Sequence, residues 1–221
     1  EFLRNLHVDL IMSDLVINDI QKGTIQHITY NLPVSVPFSF DDFEKRNVPY
    51  MWMHAVTHLT EKMRRIGYHQ QEGISYTDKE FVFYPMAVSQ TVAYFPKIIY
   101  EYTTGREGQT IDENVWIKNY WMEVKAVKKL LEIYVVHKEN VSESGRHFME
   151  VQSKLYIGSI YRHYIQMARR QLPIGELIEF DKWLEISAPG LYHCVDLEEE
   201  TAHFYYISEW RKYKANMRGY L

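Results

Sequence analysis

From Ile28 to Phe40 every even-numbered residue is apolar: Ile28, Tyr30, Leu32, Val34, Val36, Phe38 and Phe40. Between them lie Thr29, Asn31, Pro33, Ser35, Pro37 and Ser39. A period of two puts one set of side chains on one face of an extended chain, which points to strand rather than helix. Pro33 and Pro37 share the opposite parity, so their missing N–H groups fall along one side, and that side cannot carry a full ladder. The run is expected to be an edge strand or an arm, reaching roughly 40 Å at about 3.3 Å per residue. Val34, Val36 and Phe38 are its expected contacts with a neighbour, by strand addition.

A chain of 221 residues can bury a full core. No internal repeat, low-complexity tract or clear linker interrupts it. The expectation is therefore a single α+β domain over residues 1–221, with an extended arm at 24–40 and a C-terminal tail at 208–221. The net charge of −4 is too mild to imply nucleic-acid or membrane binding by itself. The apolar runs are short and broken by charge, and Asp14 and Asp19 interrupt the stretch from Leu10 to Ile20, so no membrane partner or signal peptide is expected. Cys194 is the only cysteine, which leaves no internal disulfide and suggests a reducing compartment, either cytoplasmic or within a particle assembled there, and not secreted. Aromatic residues reach 15%, with 18 tyrosines, a composition suited to partner interfaces.

Apolar spacing assigns the elements. Leu3, Leu6, Leu10, Ile17 and Ile20 predict a helix over 3–21 that ends at Gly23. Asn47 before Val48-Pro49 resembles a helix cap, and Met51, Ala55, Leu59, Met63 and Ile66 form a helical stripe that stops at Gly67. Strands are predicted at 81–84, 91–95 and 98–102, and a helix after Asp112. Ser142 to Gly145 break that helix, and another follows over 146–171. After Pro173 a strand-and-turn region is expected, with Pro189-Gly190 as a turn and a last strand at 204–207. The sum is an α+β fold, an antiparallel sheet with a long proline-containing edge strand packed against several amphipathic helices.

Residues 112–125 support two structures. As a hairpin turning at Lys118-Asn119, they set Asp112 opposite Lys125, Asn114 opposite Glu123 and Trp116 opposite Trp121. In that form the segment resembles the PD-(D/E)xK nuclease superfamily, with an acid on one strand and E-x-K on the next. The resemblance implies Mg²⁺ held by Asp112 and Glu123, Lys125 orienting or activating water, and Gln152-x-x-x-Tyr156 matching a motif of the RecB-like branch. As a helix, Trp116, Tyr120, Trp121, Val124, Val127, Leu131, Tyr134 and Val135 form one stripe that continues well past Lys125. Asp112 and Glu113 then stand at the positive end of the dipole, with His137 and Lys138 at the other. The helix explains more of the segment.

Two other groups carry chemistry. His54 and His58, with Glu61 one turn on and His69 in the following loop, would face a single metal if residues 51–66 were helical. They lack the glutamate that a zinc protease places directly after its first histidine, and ordinary half-buried histidines are the simpler reading. The C-terminal run Trp210, Arg211, Tyr213, Lys214, Arg218 and Tyr220 mixes cations with rings. It suits docking on an acidic protein surface, stacking on nucleic acid, or pairing with the acidic stretch Asp196, Glu198, Glu199 and Glu200. Arg162, His163, Arg169 and Arg170 read as the wet side of an amphipathic helix. The functional expectation is a non-enzymatic assembly or protein-interaction component, forming homo- or hetero-oligomers and needing no cofactor. Its tyrosine and methionine content suits a phage or viral particle. The alternative is the Mg²⁺-dependent nuclease.

Overall fold

The computed structural model describes residues 6–34, 36–46, 51–110, 112–167, 172–195 and 206–217. Its sheet is built on β1 (Leu10–Asp19), a strand where residue spacing suggests a helix. Leu10, Met12, Ser13, Asp14 and Leu15 are all buried. With both faces of that half covered, the sequence shows no alternation to betray a strand.

One side of β1 is occupied along its length by β5 (Thr91–Thr104), which runs parallel to it. The other side is shared: β4 (Val56–His58) lies antiparallel beside Leu10–Met12, and β2 (Thr24–Ile28) antiparallel beside Leu15–Asp19. The short β3 (Phe38–Ser39) adds antiparallel to the far side of β5 at Thr91 and Val92. The sheet is therefore mixed and not antiparallel. The long crossover from β1 through the intervening short elements brings the chain back in the same direction, so β5 joins in parallel.

The alternating run does not form one strand. Ile28 ends β2, Asn31 turns the chain with a φ of 49°, Val34 makes an isolated parallel bridge to Tyr94, and Phe38 opens β3. Its parity survives as burial at Tyr30, Leu32 and Phe40, while Val34 and Val36 face solvent.

Residues 51–66 also differ from their helical pattern. They form a 3-10 turn (Met53–Ala55), then β4, then α2 (Thr60–Arg65). Met51 and Ala55 are buried as the stripe requires, but Leu59 is exposed. The open side of β1 at Leu10–Met12 takes Val56–His58 as a ladder partner, and that tertiary pairing overrides local spacing. Likewise residues 81–84 fall in α3 (Asp78–Val82) and α4 (Tyr84–Ala87) rather than a strand.

The long helices follow their sequence signals. α5 (Glu113–His137) and α6 (Glu143–Met167) are joined by a short break and pack on each other. At the start of α6 the Ser142 hydroxyl accepts the Gly145 N–H at 3.1 Å. α7 (Ile174–Ser187), α8 (Pro189–Cys194) and α9 (Tyr206–Met217) replace the strand-and-turn region expected there. Leu177, Phe180 and Leu184 give α7 its buried stripe. Of the expected last strand, residues 204–205 lie outside the described residues, and Tyr206 and Ile207 open α9.

Short helices stand between the sheet and the α5–α6 pair: α1 (Phe40–Glu44) touches both β5 and α6, α4 packs on α6, and α3 meets α5. One continuous buried cluster runs from Leu10 to Ile207. Most of the solvent-facing β residues are at the outer end of the sheet, in β2 and the second half of β5. No helix among the described residues is long and apolar enough to cross a membrane.

Candidate functional site

The residues of the nuclease-like hairpin are not brought together. Asp112 is the cap of α5, its Oδ1 accepting the N–H groups of Asn114 at 2.9 Å and Val115 at 3.3 Å. On a helix, Asp112 and Glu123 are separated by roughly 16 Å at about 1.5 Å per residue, too far to share one ion. Lys125 points to solvent and Gln152 is half-buried on α6. The pairing that would oppose Asp112 to Lys125 is absent because the apolar stripe of α5 holds the segment helical.

Glu123 has a different setting. It is buried, with Lys79 Nζ 3.1 Å from Oε1 and the Trp116 indole N–H donating to Oε2 at 2.7 Å. His163 Nδ1 lies 3.5 Å from the same oxygen, a long contact at the limit of hydrogen-bond range. Burial alone would raise the carboxyl, but His163, Lys79 and Trp116 outweigh it and bring it down to about 2. The Lys79 ammonium also stands over the rings of Tyr76 and Tyr156, at 5.5 Å and 5.8 Å. A carboxylate held so firmly ionised is a poor proton acceptor at neutral pH. It clamps α3, α5 and α6 together.

The two candidate histidines do not share a helix face. His54, in the 3-10 turn, lies with its ring 4.4 Å from Tyr100 and 4.8 Å from Tyr102. His58, in β4, has Nε2 2.9 Å from the Phe81 carbonyl oxygen, and burial pushes its imidazole down to about 4. Glu61 pairs with Arg65 at 3.0 Å and His69 faces solvent. No group of three or more metal-ligating side chains gathers among the described residues.

The cationic–aromatic C-terminal run is not a free tail in its described part. It is α9, and its charges are turned inward onto Asp181 of α7, which has no solvent exposure. Arg211 Nε donates to Asp181 Oδ1 at 2.9 Å, Lys214 Nζ pairs with Oδ2, and the Tyr161 hydroxyl donates to Oδ1. Arg211 also donates to the Tyr192 carbonyl at 2.7 Å and stacks 3.7 Å from the Tyr192 ring. Trp210 packs against Tyr161. Burying an aspartate demands cations, and α9 supplies two. Of the residues expected to bind partners, Tyr213 remains exposed, while Arg218, Tyr220 and the acidic residues 196–200 lie outside the described residues. Nothing local in the sequence marks Asp181, Tyr161 or Lys79 as members of these clusters.

The open surface lies on the sheet. Val34 and Val36 are 49% and 63% exposed, and Phe38 is half-buried in β3. Val34 bridges Tyr94 on the side of β5 away from β1. Beyond Tyr94 no described strand covers that side, and there Ile98, Ile99 and Tyr100 are 47%, 55% and 43% exposed. Pro96, Lys97 and a register irregularity opposite Ser13–Leu15 interrupt this edge, features that restrict indiscriminate pairing. Ile20 and Ile25 add exposed apolar side chains near the turn between β1 and β2. The isoleucines of β5 stand out in the sequence only as strand formers, because exposure depends on which neighbours the sheet lacks. Comparison with known proteins finds no matching family model, no matching characterised relative and no matching solved structure.

Proposed function

We propose that this chain is a non-catalytic interaction component that binds another protein chain along the open side of β5. The observation that carries this reading is the exposure of Ile98, Ile99 and Tyr100 on a strand edge beyond its last described neighbour, with Val34 and Val36 beside its start. Exposed apolar side chains grouped on one edge are costly in water and are offset when a partner covers them. An incoming strand would satisfy the free backbone groups and seat alternate side chains against the isoleucines. The neighbour is a protein subunit, the same chain or a different one. A multi-subunit assembly such as a phage or viral particle is the setting that the tyrosine-rich composition favours.

The test is a photo-crosslinking residue placed at position 99, compared with the same residue at position 186 on α7, where Ile186 is also exposed. The reading expects a discrete crosslinked product from position 99 only, lost when Tyr100→Glu puts a charge on the edge. Equal products from both positions, or none from position 99, would refute it.

A further inference from the structure

With Arg211 and Lys214 turned onto Asp181, the cations that stand beside an exposed ring are found elsewhere. Trp121, Val124, Lys125, Lys128, Lys129 and Glu132 line an open groove on the outer face of α5. Trp121 is 47% exposed on a helix whose other large side chains mostly turn inward. Lys128 Nζ stands 5.0 Å over the ring of Trp183 on α7, which fixes that cation at the wall of the groove. Lys129 approaches Glu132 only at 4.0 Å, and Lys125 has no carboxylate partner among the described residues. Three ammonium groups against one carboxylate make a locally positive strip on a chain whose net charge is −4.

We propose that this groove binds single-stranded nucleic acid, independently of the β5 edge. Charge complementarity selects a polyanion, since three lysines crowded within little more than one turn of α5 offer neighbouring cations to a chain of phosphates. The exposed indole selects among polyanions. A base offers a flat π-face to stack on Trp121, whereas an acidic peptide would engage the lysines and leave the ring unused. Duplex is disfavoured because its bases are already stacked and give Trp121 nothing to cover.

The experiment is fluorescence anisotropy of a labelled oligothymidylate of about 12 nucleotides titrated with the whole chain. Three phosphate contacts predict that affinity falls roughly 20-fold between about 50 mM and about 200 mM salt. The variant Lys125→Gln, Lys128→Gln, Lys129→Gln is expected to lose at least tenfold in affinity at the lower salt and most of the salt dependence. Trp121→Ala is expected to weaken binding about tenfold while leaving the salt dependence unchanged. All four positions lie on the helix surface, and circular dichroism checks that each variant is folded. Three outcomes overturn the proposal: no binding at the lower salt, unchanged binding by the folded triple-lysine variant, or full competition by polyglutamate of equal charge with no effect of Trp121→Ala. The last outcome would assign the groove to acidic peptides.

Discussion

Lys79 Nζ lies 3.1 Å from the Glu123 carboxylate, in a place where the two side chains are only 12% and 5% exposed. Removing one partner of such a pair strands the other charge in a dry site. Glu123→Gln keeps an acceptor for the Trp116 N–H but leaves Lys79 unpaired, and is expected to cost roughly 3 kcal/mol in urea unfolding. Adding Lys79→Met to that variant should recover more than about 1 kcal/mol, because the stranded cation is gone. Strictly additive losses would contradict the pairing. Glu123 falls from its ordinary 4.5 to about 2 on folding, so its contribution is complete above 4.5 and fades as pH drops toward 2.

His58 gives a second pH dependence in a different window. Its imidazole is buried and neutral, with a folded value of about 4 against an ordinary 6.5. Between those values the unfolded chain binds the proton and the folded one does not, so stability falls as pH is lowered from 6.5 to 4 and is flat above 6.5. The loss is of order 3 kcal/mol across that window. His58→Gln should flatten this part of the stability profile. A profile that keeps its slope would contradict the assignment.

Asp181 holds α9 to α7 and α6. Asp181→Asn removes the charge facing both Arg211 and Lys214 and is expected to destabilise by roughly 3 kcal/mol or more. Trypsin then becomes the informative probe, since Arg211, Lys212 and Lys214 are its sites within α9. Faster cleavage there than elsewhere supports the clamp, and unchanged resistance contradicts it.

Gly145 sits where α6 crosses α4, and a Cβ built on it would stand 2.2 Å from the Ala87 carbonyl oxygen. Backbone cannot yield as a flexible side-chain tip can. Gly145→Ala is expected to cost about 1–3 kcal/mol from overpacking, even though alanine is the better helix former. Thermal unfolding checks this, and a stabilised variant would show that the crossing can relax.

How far the sequence revealed this architecture depended on how local each signal was. α5 was legible because Asp112, the stripe from Trp116 to Tyr134 and His137 all belong to one segment. β1 was not, because both of its faces are covered and its leucines happen to fit a helical spacing. The stripe at Met51, Ala55 and Leu59 misled for a related reason: the open flank of β1 recruits Val56–His58 across a long sequence separation. In α7, Leu177, Phe180 and Leu184 have helical spacing, but Pro173 and Pro189-Gly190 on either side are turn punctuation and suggest short irregular elements instead. Val34 and Val36 share the parity of the buried Tyr30, Leu32 and Phe40 yet face solvent, because the chain turns at Asn31 and touches β5 again only at the bridge to Tyr94. The destination of Arg211 and Lys214 was invisible, since Asp181 lies some thirty residues upstream in an unremarkable stretch.

The most direct measurement on the β5 edge is amide hydrogen exchange across Thr91–Thr104, on the isolated chain and on the same chain joined to its crosslinked neighbour. Binding there predicts fast exchange in the isolated chain at those amides of residues 97–104 that point away from β1, and at least about tenfold slower exchange of the same amides in the joined form, while the amides laddered to β1 are protected in both. Outward-pointing amides already protected in isolation, or protection appearing only away from β5, would contradict it.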